Sequence, residues 1–228
     1  MIKGYWYRGE GGLNLGDALN PLLFRRLLGV TLEWAPPKEA EVFGIGSNIE
    51  MIPGGFTGVI LGTGIASPHT RRNLSRAHVL AVRGNLTAAV CGLGRPLLAD
   101  LGLLAADLLE DWPAQDIPHG YIRHFADHRP TRGFAIDVIA GPEYVIRQAA
   151  RCERITSSSL HGLILADSIG IPSRWAPHHS TRMVKFEDYA SSFREILHPY
   201  VWRRAHPPIV TEKQEALREA LRSLVCWP

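Results

Sequence analysis

The stretch ITSSSLHGLILADSIGIPSRW (155–175) sets three hydroxyls and an imidazole between an apolar strand pattern and a buried helix pattern. A strand ends near Thr156 and a helix starts near Ser159. Ser159 can cap that helix by accepting from the backbone N–H groups ahead of it. The free N–H groups and the positive end of the helix dipole form an anion site, and Ser157 and Ser158 add hydroxyl donors. His161 falls in the first turn, facing the same ligand. There it can donate to a phosphate or act as acid or base near neutral pH. The bland alternative is a set of capping serines and a core histidine. For the serines alone that alternative is the better one. A histidine in the first turn of an otherwise apolar helix needs a further reason. Gly162 allows close packing or close ligand approach.

Other candidates stand where strand patterns give way to helix patterns: Asn14 to Asp17, Ser47, Gly62 to Gly64 and Arg83. In NLGDALNP (14–21), Gly16 suits a tight turn, and Asp17 is either a helix cap or an acid or base at the strand end. In VRGNLTAA (82–89), Arg83 can hold a phosphate or carboxylate in its guanidinium fork, and a surface arginine is the equal alternative. GTGI (62–65) is a glycine-containing turn that lacks the G-x-G-x-x-G spacing of a dinucleotide site. His119, His124 and His128 lie close in sequence without an H-E-x-x-H pattern or a nearby cysteine, so no metal site is expected. Walker A, G-x-S-x-G and kinase signatures are absent from the sequence.

These residues need a frame. Short β-branched runs at 2–7, 30–34, 41–46, 58–65, 78–84, 134–140, 154–159 and 173–176 read as strands. Helical patterns lie between them. A Gly-rich loop leads into a helix ending at Gly29, with Pro21 in its first turn. Further helices are expected at 85–94, 142–153, 160–170 and 212–227. Alternation of this kind implies βαβ units and parallel sheets, which bind ligands beyond the carboxyl ends of their strands. The segment 110–133 has three prolines and mixed charge and is the best domain boundary. The expected division is 1–115 and 116–228, two Rossmann-like α/β lobes, with the C-terminal helix packing back on the first.

Composition narrows the class. Of 228 residues, 46% are hydrophobic and 21% charged, which fits a folded globular chain. A net charge of +3 suits anionic substrates and falls short of a nucleic-acid footprint. Cys91, Cys152 and Cys226 form no C-x-x-C pair and point to reduced thiols. No signal-peptide pattern opens the sequence, and its longest apolar run is interrupted by Asp100 and Asp107. A cytoplasmic protein without a membrane span is expected.

Six segments, in order, resemble the polysaccharide pyruvyl transferase family: NLGDALNPLLF (14–24), ILGTGI (60–65), VRGNLTA (82–88), LLADLGLLA (97–105), ITSSSLHGLILADSIGIPSRW (155–175) and KFEDYASS (185–192). The resemblance implies two α/β lobes similar to glycosyltransferases of the B type. It also implies transfer of a pyruvyl group from phosphoenolpyruvate to two hydroxyls of a sugar, forming a ketal and releasing phosphate. No cofactor beyond that donor is implied. The acceptor would be a sugar or lipid-linked oligosaccharide, with peripheral membrane association through it. By resemblance, Arg83 and His161 match the family's functional arginine and histidine. His161 is then the candidate acid and Asp17 the candidate base. Asn14, Gly64, Arg83, Ser157, Ser158, Ser159 and Lys185 are expected to bind substrate. Some members carry arginine two residues before the histidine, where Ser159 stands here. The missing charge is then expected from Arg174, Arg182 or Lys185. Two rivals stay open. One is a nucleotide-sugar glycosyltransferase, with Trp175 and Glu187 as its clamp. The other is a non-catalytic member acting in polysaccharide assembly.

Overall fold

Strands β1 (Ile2–Tyr5), β2 (Leu32–Trp34), β3 (Val42–Phe43), β4 (Val59–Leu61), β5 (His78–Val82) and β6 (Leu97–Leu98) form a wholly parallel sheet, ordered β2-β1-β3-β4-β5-β6. A second sheet is built from β7 (Gly120–Ile122), β8 (Phe134–Ile136), β9 (Ile155–Ser157), β10 (Ser173–Trp175) and β11 (Trp202–Arg203), ordered β11-β10-β9-β7-β8. It is parallel except where β11 runs against β10. The fold is the expected α/β class with two Rossmann-like sheets. The computed structural model describes residues 1–8, 14–131, 133–179 and 182–224. The glycines expected to form the loop before residue 14, and Cys226, lie outside the described residues. Cys91 and Cys152 are buried free thiols.

The helices are α1 (Leu15–Leu28), α2 (Asn85–Val90), α3 (Pro142–Ala150), α4 (Leu160–Ile169), α5 (Met183–Ser191) and α6 (Pro207–Ser223). Gly29 ends α1 at φ 66°, the left-handed turn that glycine adopts without a Cβ penalty. Pro21, expected in the first turn, sits inside α1 instead. Its missing N–H would leave the Asp17 carbonyl without the usual partner four residues on. Asn20 Nδ2 donates to that carbonyl at 3.1 Å and repairs the helix. Helix α6 begins five residues earlier than its apolar spacing suggests, because Pro207 fits the first helical turn. Strands β7 and β11 and helix α5 were not legible as elements. Gly120–Ile122 is three residues inside the Pro- and His-rich segment, too short to show a period.

The two sheets share one hydrophobic core. Its middle is α4 against the 3-10 helix Leu101–Leu108 that follows β6. Helix α4 is mostly apolar because it is buried nearly all round, and its polar residues His161, Asp167 and Ser168 are buried as well. Leu163, Ile164 and Leu165 are within 1% of full burial, each contributing roughly 1.5–3 kcal/mol. Ser168 keys the two helices together: its Oγ donates to the Leu103 carbonyl at 2.7 Å and accepts the Ala106 N–H at 2.9 Å. Helix α6 packs on the same 3-10 helix and donates from Lys213 Nζ to the Leu98 carbonyl. No helix among the described residues is long and apolar enough to cross a membrane.

Candidate active site

Three ionisable side chains meet where α4 abuts the first sheet. Asp17 is in the first turn of α1, Asp100 follows β6, and His161 is in the first turn of α4. All three stand just beyond the carboxyl end of a parallel strand or on the helix that follows it. His161 is 7% exposed and Asp100 fully buried. His161 Nε2 and Asp100 Oδ2 are 3.7 Å apart. Neither atom has a hydrogen-bond partner among the described residues. A buried polar atom left unpaired costs about 1–3 kcal/mol, a cost that recurs at functional sites. The other Asp100 oxygen accepts the Gly102 N–H at 2.9 Å, which fixes the carboxylate.

Gly16 is what lets this meeting happen. It lies within α1 rather than in the expected tight turn, and His161 packs directly on its backbone. A Cβ there would be 2.0 Å from His161 Nδ1. Of the two readings of Asp17, helix cap or acid–base group, the cap does not hold: the N-cap is Asn14, and Asp17 Oδ1 accepts the Tyr7 N–H at 2.9 Å. Burial pushes the Asp17 carboxyl up to about 6, against the opposing pull of His161 and hydrogen bonds from Tyr7 and Asn48. Asn48 and Gly46 follow β3 and pack on the Asp17 carboxylate; Gly46 has φ 127°, a conformation only glycine adopts readily. Asn20 accepts the Ile45 N–H at 2.7 Å and so ties this loop to α1.

Lys185, on α5, is half-buried and interacts electrostatically with Asp17, Arg83 and Arg182. Burial, then the two arginines, push its amine down to about 8. His124 is coupled to Lys185, and burial holds its imidazole down to about 4. Asn14, Ser159 and His124 line one small hollow. Ser159 is the N-cap residue of α4 but makes no side-chain capping bond, contrary to expectation, so its hydroxyl is not committed to the helix.

A profile of the polysaccharide pyruvyl transferase family matches residues 51–180, more than half of the chain. The chain belongs to this family. It is 29% identical to the succinoglycan biosynthesis protein ExoV of Rhizobium meliloti (strain 1021), an alignment covering 96% of this chain and 72% of that protein. It is also 29% identical to an uncharacterised protein of Acanthamoeba polyphaga mimivirus, over 59% of this chain and 54% of that one.

Within this pyruvyl transferase fold, several expected binding residues hold the protein together. Arg83 is fully buried. Its Nε donates to Asp188 at 3.0 Å, Nη1 to Ser47 Oγ at 2.9 Å and Nη2 to the Ile65 carbonyl at 2.6 Å. The fork expected to face an anion is thus turned inward, locking α5 to the end of β5. Asp188 also accepts from the Thr87 hydroxyl at 2.6 Å and the Thr87 N–H at 2.9 Å. Gly64 makes room for the guanidinium: a Cβ there would stand 2.3 Å from Arg83 Cζ. Ser157 is buried and bonded to the Ile122 and Ser159 backbone. Gly162 admits it, since a Cβ would lie 2.2 Å from Ser157 Oγ. Ser158 accepts the His124 N–H at 2.9 Å and donates to Asp127.

Arg174 lies across the second sheet from the His161 site, bonded to Thr156, so it does not stand in for the arginine that Ser159 replaces. Lys185 and the exposed Arg182 are better placed. Trp175 is buried and stacked on Phe186 at 4.6 Å, and Glu187 is exposed, so they form no clamp. The sequence reading missed Asp100, Gly16 as a seat for His161, Asn48 and Asp188. For Asp100 the signal was a carboxylate interrupting an apolar run.

Proposed function

We propose that the chain transfers a pyruvyl group from phosphoenolpyruvate to two hydroxyls of one sugar in surface or exopolysaccharide synthesis, forming a cyclic ketal and releasing phosphate. The observation that carries this is the buried meeting of His161 with Asp17 and Asp100, with Nε2 and Oδ2 free to bond a third group. The family membership and the printed role of the Rhizobium relative support it.

His161 Nε2 gives its proton to the methylene carbon of the donor, and positive charge develops at the neighbouring carbon. Asp17 takes the proton of the first sugar hydroxyl, whose oxygen bonds to that carbon. Its carboxyl, at about 6, is mostly ionised at neutral pH and competent for this. The bond from carbon to the phosphate-bridging oxygen then breaks. The second hydroxyl oxygen takes its place, and its proton leaves with the phosphate. Asp17 returns its proton to His161 through solvent, which restores the resting state. Asp100, whose Oδ2 lies 3.7 Å from Nε2 without bonding it, can accept from a substrate hydroxyl held beside the imidazole. Lys185, with Arg182 beside it, and the α4 N-terminus receive the donor's phosphate and carboxylate. Arg83 acts through α5, which it pins beneath Lys185.

The scheme needs no cofactor beyond the donor and runs where phosphoenolpyruvate is made, in the cytoplasm. The acceptor is a sugar or a lipid-linked oligosaccharide. The test is phosphate release from phosphoenolpyruvate with a panel of pyranosides carrying 1,2- and 1,3-diols. His161→Gln is expected to abolish release while leaving the melting temperature near that of the parent. Near-normal release in that variant overturns the assignment.

A further inference from the structure

Among the described residues, helices pack on one face only of the second sheet. Helices α3 and α4 follow β8 and β9, and both crossovers step the same way along the order β8-β7-β9-β10. Right-handed crossovers that step one way place their helices on one face. The step from β7 to β8 goes the other way, so its helix would cover the opposite face. Residues 123–133 make that connection, and the described ones form no helix.

Alternation along the strands shows what the other face carries. Ile122, Ile155, Ser157, Ser173 and Trp175 point into the core. Tyr121, Thr156, Arg174 and Trp202 stand opposite one another in a single row across β7, β9, β10 and β11. Arg154 and His119 lie two residues before Thr156 and Tyr121, just ahead of β9 and β7, so they share the face. The row is organised around one indole. Arg174 Cζ lies 4.7 Å and Arg154 Cζ 5.1 Å from the Trp202 ring centroid, and the His119 ring lies 5.5 Å away. Thr156 Oγ1 accepts from Arg174 Nε at 2.8 Å and bonds His119 Nε2 at 2.7 Å.

The charge here is uncompensated. Elsewhere Arg147, Arg151, Arg203 and Arg218 each sit against a carboxylate. Arg154 and Arg174 pair with none among the described residues and are held by an aromatic ring instead. Two guanidiniums packed on one indole with no carboxylate against them favour an anion that reaches either one. Fixed forks of this kind match carboxylates two bonds at a time. Tyr121 adds flat apolar surface. The row spans three strand spacings, about 14 Å, a length suited to a short run of sugar rings.

We propose that this face binds an acidic saccharide, with its carboxylates on Arg154 and Arg174 and a ring against Tyr121. It would hold a polymeric glycan outside the reaction centre. This rests on the reading of the chain as a polysaccharide-modifying enzyme, and it names a second saccharide site rather than the catalytic one.

The test is calorimetric titration of the full chain with a galacturonic acid trimer and with its methyl ester, which keeps the rings and removes the charge. The trimer is expected to bind, and the ester to bind at least about tenfold more weakly. The double variant Arg154→Gln, Arg174→Gln is expected to lose about the same factor while still binding phosphoenolpyruvate as the parent does. Arg154 is exposed, so Arg154→Gln alone carries the test if the double variant does not fold. Equal binding of trimer and ester, no binding of the trimer, or unchanged binding in the variants overturns the proposal. So does equal displacement of the trimer by inorganic phosphate or phosphatidylglycerol vesicles, which marks a general anion patch. Failure of phosphoenolpyruvate to bind the parent is a separate result and counts against the catalytic reading.

Discussion

Replacing Gly16 by alanine separates the seating of His161 from the stability of the fold. The added methyl would stand 2.0 Å from His161 Nδ1, 2.2 Å from Cε1 and 2.3 Å from Cγ. All three ring atoms are met at once, so rotation of the imidazole does not clear them. The ring must recede by roughly 1.5 Å to regain van der Waals separation. That motion carries Nε2 away from its place beside Asp100 and Asp17. Misplacement of this size at a reacting group costs about 100-fold in rate. The helix meanwhile gains up to about 1 kcal/mol, since alanine is the better helix former. The expected outcome is a kcat for phosphate release about two orders of magnitude down, with a melting temperature within a few degrees of the parent. Parental kcat in a Gly16→Ala protein would refute the claim that His161 acts from this seat.

The buried Asp17 carboxyl gives a pH signature. Its native value of about 6 is raised above the ordinary 3.8, so the stabilisation it brings is complete below pH 3.8 and is lost as pH rises through 6. Asp17→Asn is therefore expected to raise stability at pH 7 by up to about 3 kcal/mol, checked by denaturant melts, while abolishing turnover and the rise of kcat/KM through pH 6. Lys185→Met is expected to raise the KM for phosphoenolpyruvate about tenfold with a smaller change in kcat; the parent should lose donor affinity above pH 8, where the amine discharges. Asp188→Ala strands the buried Arg83 charge and is expected to cost about 3–5 kcal/mol in urea melts. Asp100→Asn is expected to lower kcat more than it changes KM, and to shift the pH profile that a merely structural residue would leave alone.

The parts of the site legible in the sequence were those carried by neighbouring residues. The 155–175 block showed itself because strand end, helix start and His161 are consecutive, and the alternation of strands and helices gave the α/β class. Arg83 read as an anion site because its partner is 105 residues away; a local window shows an arginine after a strand and nothing of Asp188. Asp100 looked like a break in an apolar run because its contact with His161 exists only once α4 packs on the segment after β6. Gly16 looked like a turn for the same reason: the atom that excludes a side chain there comes from the other sheet's helix. Strand β7 was hidden by its length, and its place in the sheet comes from pairing with β9 rather than from its own three residues.

The central claim is that phosphoenolpyruvate binds beside His161. Calorimetric titration of the parent and of His161→Gln with phosphoenolpyruvate, beside a nucleotide-diphosphate sugar, tests it most directly. The account predicts heat with phosphoenolpyruvate alone, weakened in His161→Gln and about tenfold weaker in Lys185→Met. Silence with phosphoenolpyruvate together with saturable heat from the nucleotide sugar would contradict it and assign the chain to glycosyl transfer.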